Sequence, residues 1–167
     1  MGAPDVRETG VTFQENALLK ARAVAEHTGL LAVADDSGLA VDVMGGAPGF
    51  LSARWAGRHR DDQANLELLL AQLADVEGEE RRGAAFMCAA AAAVPGGEEV
   101  VRHGELRGTL LTAPRGEGGF GYDPILLPAG ETRSCAELSA AEKNAISHRG
   151  QAFRALVPEL VRLLAAR

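Results

Sequence analysis

Apolar positions along this chain fall into two periods, and the change from one to the other marks out its elements. Thr12-Phe13-Gln14-Glu15 has capping-box spacing, with a hydroxyl and a carboxylate placed to satisfy backbone N–H groups at a helix start. The helix should run to about His27, with Ala17, Leu18, Ala21, Val24 and Ala25 as its apolar stripe. Asn16, Lys20 and His27 share a separate face, so Lys20 either points toward an anion or is a solvated surface lysine. Leu30-Leu31-Ala32-Val33 is unbroken and apolar, which predicts a strand buried on both faces. A polar segment follows, Ala34-Asp35-Asp36-Ser37-Gly38-Leu39, in which Gly38 is expected to let the chain turn away. Leu39, Val41 and Val43 then alternate with Ala40 and Asp42, as in a second strand. Gly45-Gly46-Ala47-Pro48-Gly49 ends it, either as a loop whose backbone approaches something closely or as a tight turn.

Asp61 or Asp62 can cap a second helix, in which Leu66, Leu69, Leu70 and Leu73 form the core-facing stripe. The charged run at 77–83 reads as a flexible surface linker without chemistry. Residues 84–94 and 98–106 flank Pro95-Gly96-Gly97 and predict a hairpin, although the alanines at 89–93 would also suit a helix. Ile125-Leu126-Leu127 reads as a short strand, and Ser139-Ala140-Ala141-Glu142 as a second capping box with Lys143 in the first turn. Phe153, Leu156, Val157, Leu160, Val161 and Leu164 mark an amphipathic C-terminal helix that Pro158 should kink or restart. Met1 to Asp5 shows no regular pattern and is expected to be mobile. Strands and helices alternating over 167 residues, with no internal repeat, predict one α/β domain over 1–167.

Composition narrows the partners. A net charge of -6 with 47% hydrophobic residues gives no broad attraction to a nucleic-acid duplex or an anionic membrane. The longest apolar run, 84–94, is too short to span a bilayer, and no basic-then-hydrophobic leader opens the chain. Cys88 and Cys135 are the only cysteines and lack metal-ligand spacing, which suits a reducing cytoplasm and argues against zinc.

Candidate chemistry gathers in a few places. Adjacent Asp35 and Asp36 at a predicted strand end are either a site for a hard divalent cation or only a polar turn. Between 116 and 124, four glycines surround Phe120 and Tyr122. That composition suits a loop offering a ring to a flat ligand, or a hairpin whose two rings cover the core. Arg54 beside Trp55 could stack on a base, but a buried Trp crossed by an Arg is the commoner arrangement. Acidic residues, lysines, a Gly-aromatic loop and a late Ser147-His148-Arg149 together fit a magnesium-bound nucleotide: carboxylates for the metal, cations for phosphate, rings for the base.

Four blocks carry a resemblance over nearly the whole chain: Thr12 to Ala17 with Lys20-Ala21, ADDSGLAVDVMGGAPGFLSARWAG at 34–57, GGFGYDP at 118–124 and EKNAISHRGQA at 142–152. In this order they resemble the inosine triphosphate pyrophosphatase family, also called Ham1-like, whose members hydrolyse ITP, dITP and XTP to the monophosphate and pyrophosphate. The resemblance implies an α/β fold with a mixed central β-sheet flanked by helices, of the Maf/Ham1 type, and a homodimer using Mg²⁺. It implies that Asp36 binds Mg²⁺ and acts as base toward water, with Glu8 as a second metal carboxylate and Asp35 in support. Lys20 and Lys143 would face phosphate, Ser37 the substrate, and Phe120, Gly121, Tyr122 and Asp123 the purine. His148 and Arg149 would recognise a 6-oxo base, because inosine and xanthine offer an acceptor oxygen where adenine offers an amino donor. The family's first strand, its helix and their Thr/Ser, Asn and Lys motif have no counterpart ahead of Glu8, so an exposed sheet edge is expected. The alternative function is a nucleotide-binding or dimerisation module with little turnover.

Overall fold

Capping chemistry fixes where the helices begin. In the computed structural model, which describes residue 4 and residues 6–165, helix α1 spans Phe13–Thr28 behind an N-cap at Thr12, whose hydroxyl accepts from Glu15 N–H at 3.1 Å. The Glu15 carboxylate accepts from Val11 N–H at 2.8 Å, one residue ahead of the position an ideal box uses. Helix α2 spans Asp62–Gln72 with Asp61 as its cap, and helix α3 spans Ala140–Ile146 with the full reciprocal box of Ser139 and Glu142. Of the opening segment expected to be irregular, Met1 to Ala3 and Asp5 lie outside the described residues.

Strands β1 (Ala32–Val41), β2 (Gly83–Ala93), β3 (Glu99–Leu110) and β4 (Leu126–Pro128) form one four-stranded sheet in that order. β3 and β4 are antiparallel, with Gly108 opposite Pro128 and Leu110 opposite Leu126. Helix α4 covers His148–Ala165. With this the expected α/β sheet flanked by helices is present. Among the described residues no helix is long and apolar enough to cross a membrane.

Two sequence expectations fail in β1. The acidic residues do not form a turn at a strand end: the strand runs unbroken through Asp35, Asp36, Ser37 and Gly38. A carboxylate can sit within a strand when each face supplies it with a cation, and Lys20 and Arg149 do so here. Nor is the preceding apolar run buried on both faces, since Leu30 is 63% exposed and Val33 36% exposed. β1 stands at one end of the strand order, and an edge strand is covered less completely than a central one. The second predicted strand also ends sooner, because Asp42–Met44 coils into a 3₁₀ turn and leaves Val43 exposed. Gly45 and Gly46 take positive φ with nothing near their Cβ positions, so the glycine loop serves a tight turn.

The chain forms two compact units. The first comprises Met1–Ser37, Met87–Glu105 and His148–Arg167. Here the alanine run is a strand and not a helix, because helices bury it on both sides. Ala89, Ala91 and Ala93 pack with Ala17, Ala21 and Ala25 of α1, while Cys88, Ala90 and Ala92 pack with Ala152, Leu156 and Leu163 of α4. Period-2 burial on both faces outweighs the helical preference of alanine. β3 meets the start of α4 so closely that a Cβ at Gly104 would stand 1.9 Å from the His148 carbonyl oxygen. α4 continues through Pro158 without a restart. Pro158 and Arg154 lie on its exposed side, where water can take the carbonyl that proline leaves unpaired.

The second unit comprises Gly38–Phe86 and Leu106–Ser147. Leu39, Val41, Leu66, Leu69, Leu73, Phe86, Leu110, Ile125 and Leu126 build its core, with Trp55 partly buried against them. Trp55 donates Nε1–H to Gln72 at 2.8 Å. The charged run at 77–83 is not simply a linker. Its Arg82 is 4% exposed and donates to the carbonyls of Leu73, Val76, Leu110 and Leu111 at 2.9–3.1 Å, tying α2's end to the end of β3.

Candidate active site

In the first unit, α1, β1 and the segment ahead of α1 bring one lysine and two carboxylates to a single point. Lys20 Nζ lies 2.9 Å from Glu8 Oε1 and 2.9 Å from Asp36 Oδ1. Asn16, one helical turn earlier and fully buried, accepts Gly10 N–H at 2.8 Å, which ties down the segment carrying Glu8. Its Nδ2 stands 3.5 Å from Asp36 Oδ2, a weak contact that faces the second oxygen of the same carboxylate. Sequence spacing put Asn16 and Lys20 on one face, but only the structure gives Asn16 this anchoring position.

The charges at this point pull against each other. Burial pushes the Asp36 carboxyl above its ordinary range, the Lys20 ammonium only partly offsets this, and Glu8 adds to the rise. At Lys20, burial acts downward, but its bonds to Asp36 and Glu8 outweigh it and leave the ammonium held more firmly than usual. The two directions are compatible because the Asp36 side chain is 11% exposed and the Lys20 side chain 24%, so desolvation weighs more on the carboxylate. The result is a partly buried carboxylate whose proton affinity is raised above the ordinary.

Asp35 looks the other way. Successive strand side chains alternate between faces, so Asp35 turns from α1 toward α4 and meets Arg149 Nη2 at 2.7 Å. Ser37 Oγ donates to Asp35 Oδ2 at 3.2 Å and Cys88 Sγ lies 3.8 Å from the same oxygen. Burial pushes the Cys88 thiol up to about 11, so it is an inert packing group. The expectation of an acidic pair acting jointly on one cation is therefore corrected: the strand sends the two carboxylates to opposite faces. The oxygens that converge belong to Asp36 and Glu8. His148 is half-buried at the first turn of α4, beside exposed Arg149.

The second unit holds the glycine-aromatic loop, and its two rings part company. Phe120 is 73% exposed, whereas Tyr122 is 5% exposed within the core and donates its hydroxyl to the Ser52 carbonyl at 2.9 Å. Each sequence alternative thus describes one ring. Asp123, 2% exposed, accepts from Phe120 N–H at 2.8 Å and forms an ion pair with Lys143, whose Nζ stands 4.6 Å from the Phe120 ring centroid. A Cβ at Gly119, where φ is 73°, would fall 2.0 Å from Asp123 Oδ2, so glycine is needed for this closure. Gly121 N–H donates to Asp62 at 2.8 Å. The loop thus presents one ring on a braced backbone, with the Lys143 ammonium of α3 beside it.

Among the described residues no group of three or more His, Cys, Asp or Glu side chains converges as a metal cage. Glu8 and Asp36 nevertheless fit a divalent cation. They are hard oxygen donors, and the Lys20 ammonium between them is a stand-in positive charge. Mg²⁺ in nucleotide sites commonly takes only one or two carboxylates, with water and phosphate completing its shell.

The first unit therefore holds two carboxylates around one cation, and the second a glycine-aromatic loop with one exposed ring. A profile of the Ham1 family matches residues 1–159, and the chain belongs to that family. It is 73% identical over 161 residues to a dITP/XTP pyrophosphatase of Streptomyces coelicolor, covering 96% of this chain and 80% of that protein. A dITP/XTP pyrophosphatase of Frankia alni is 64% identical, with 96% and 81% covered. Among solved structures, a dITP/XTP pyrophosphatase from Mycobacterium abscessus is 56% identical with a TM-score of 0.81, covering 96% of this chain and 81% of that one. A HAM1 protein from Coxiella burnetii is 42% identical with a TM-score of 0.88, covering 96% and 82%.

Proposed function

We propose that this protein hydrolyses the non-standard purine nucleoside triphosphates ITP, dITP and XTP to monophosphate and pyrophosphate, keeping them out of the nucleotide pool. The observation that carries this is the convergence of Glu8 and Asp36 on one cation position, with Asp36 partly buried and its pKa raised. Kinship with proteins named dITP/XTP pyrophosphatase supplies the substrate class.

Glu8 and Asp36 would hold the divalent cation, proposed to be Mg²⁺. When bound, it would neutralise charge growing on the phosphate oxygens and acidify a water molecule. Asp36 is the base: the water oxygen bonds to phosphorus, the water's proton passes to Asp36, the bond between α- and β-phosphate breaks, and pyrophosphate leaves. A raised pKa suits a proton acceptor working near neutrality. Lys20 and Lys143 face the phosphates, Ser37 contacts the substrate, and Phe120 stacks on the base with Gly121 and Asp123 bracing its loop. Tyr122 acts from beneath the loop and not as a stacking ring. His148 and Arg149 donate to the 6-oxo group, which adenine lacks. Free, buried Cys88 and Cys135 are consistent with the cytoplasmic setting we infer, and light scattering tests the proposed homodimer.

The deciding experiment is the product analysis of purified protein with ITP and Mg²⁺. Pyrophosphate and IMP are expected, and release of single phosphates would refute the assignment.

A further inference from the structure

We propose that Asp35 is a positioning residue that sets purine discrimination by holding the Arg149 guanidinium in one orientation. The inference rests on the proposed reading of Arg149 as a base contact. The Arg149 side chain is 61% exposed, and a free arginine at a helix start would spread over many rotamers. Here two groups select one. Asp35 Oδ1 accepts from Nη2 at 2.7 Å, and the Phe153 ring, one helical turn on, has its centroid 5.7 Å from the guanidinium carbon.

Asp35 is itself held rigidly. Its side chain is 17% exposed, it lies within strand β1, and Ser37 Oγ and Cys88 Sγ both approach Oδ2, leaving Oδ1 for the arginine. An ion pair with so exposed a cation adds little to stability, so fold maintenance is a poor explanation for it. Order is what it does supply: a donor fixed before the ligand arrives loses less entropy on binding. The neighbouring residue on the same strand is Asp36, on the opposite face. One rigid element thereby carries both the proposed base for water and the brace for the purine-reading cation. Loss of the brace should affect purine preference, not phosphate binding in general.

The test is a double-mutant cycle on binding, with IMP and AMP as probes in titration calorimetry of wild type, Asp35→Asn, Arg149→Gln and the double variant. Asp35→Asn is expected to weaken IMP binding roughly three- to tenfold and AMP binding less. The double variant should bind IMP no more weakly than Arg149→Gln alone, and Asp35→Glu, which keeps a carboxylate, should restore most of the preference. Multiplying losses, tighter IMP binding by Asp35→Asn, or equal losses for IMP and AMP with an early-melting variant would each overturn the proposal. Pyrophosphate release from ITP by the wild type is read separately: its absence would sink the hydrolase assignment, while the binding cycle still decides the role of Asp35.

Discussion

Replacing Lys20 by methionine removes the one positive charge between Glu8 and Asp36. Both carboxylates lie 2.9 Å from Lys20 Nζ, so they stand within twice that distance of each other. At an effective dielectric of about 20, each ion pair is worth roughly 6 kcal/mol in gross Coulomb energy, opposed by desolvation and by the entropy of fixing the lysine. Side-chain exposures of 24% for Lys20, 26% for Glu8 and 11% for Asp36 place the trio between surface and interior. A net loss of about 1–3 kcal/mol is therefore expected in metal-free buffer, below the 3–5 kcal/mol typical of a fully buried pair. Two unopposed carboxylates should also bind Mg²⁺ or Mn²⁺ more tightly than the wild type does without nucleotide, by about tenfold. Millimolar metal should then recover on the order of 1.4 kcal/mol of that loss. Urea unfolding with and without Mg²⁺, and calorimetric titration of Mn²⁺, read both effects without any turnover. A variant as stable as wild type in metal-free buffer, or one that Mg²⁺ stabilises no more than wild type, would refute Lys20 as a stand-in for the metal.

Asp36→Asn should lower kcat roughly 10²- to 10⁴-fold with the fold intact in circular dichroism, since Glu8 still pairs with Lys20; retained turnover would move the base elsewhere. Phe120→Ala should raise KM for ITP by about tenfold without changing Tm, because the ring is 73% exposed and base stacking contributes roughly 1–3 kcal/mol. An unchanged KM would remove Phe120 from the site. Arg82→Met strands four carbonyl acceptors and should cost about 2–4 kcal/mol in urea denaturation; a shift below about 0.5 kcal/mol would show that water replaces the guanidinium.

What the sequence made legible follows from which interactions are local. The caps at Thr12, Asp61 and Ser139, the leucine stripe of α2 and the hairpin around Pro95 depend on neighbours a few residues away, and they are found as expected. The misread places depend on distant partners. Asp35 and Asp36 resemble a turn until Lys20 and Arg149 arrive on opposite faces to hold them in a strand. The alanine run, predicted as a hairpin strand with a helix as the alternative, is a strand because α1 and α4 cover both its faces. Arg82 resembles linker charge until four carbonyls close around it, and no local pattern announces that. Nothing in the Phe120 to Asp123 motif says which ring turns inward; the Ser52 carbonyl that receives the Tyr122 hydroxyl lies far back in the chain. The pairing of Glu8 with Asp36 came only through the family resemblance, since they are separated by a whole helix.

The most direct measurement is the initial rate of pyrophosphate release from ITP, dITP, XTP and ATP by the purified protein with Mg²⁺, with inorganic phosphate followed in parallel. Pyrophosphate from the first three at rates well above ATP, abolished by chelating the metal, is the predicted result. Equal rates on ATP, or inorganic phosphate as the primary product, would contradict the central claim.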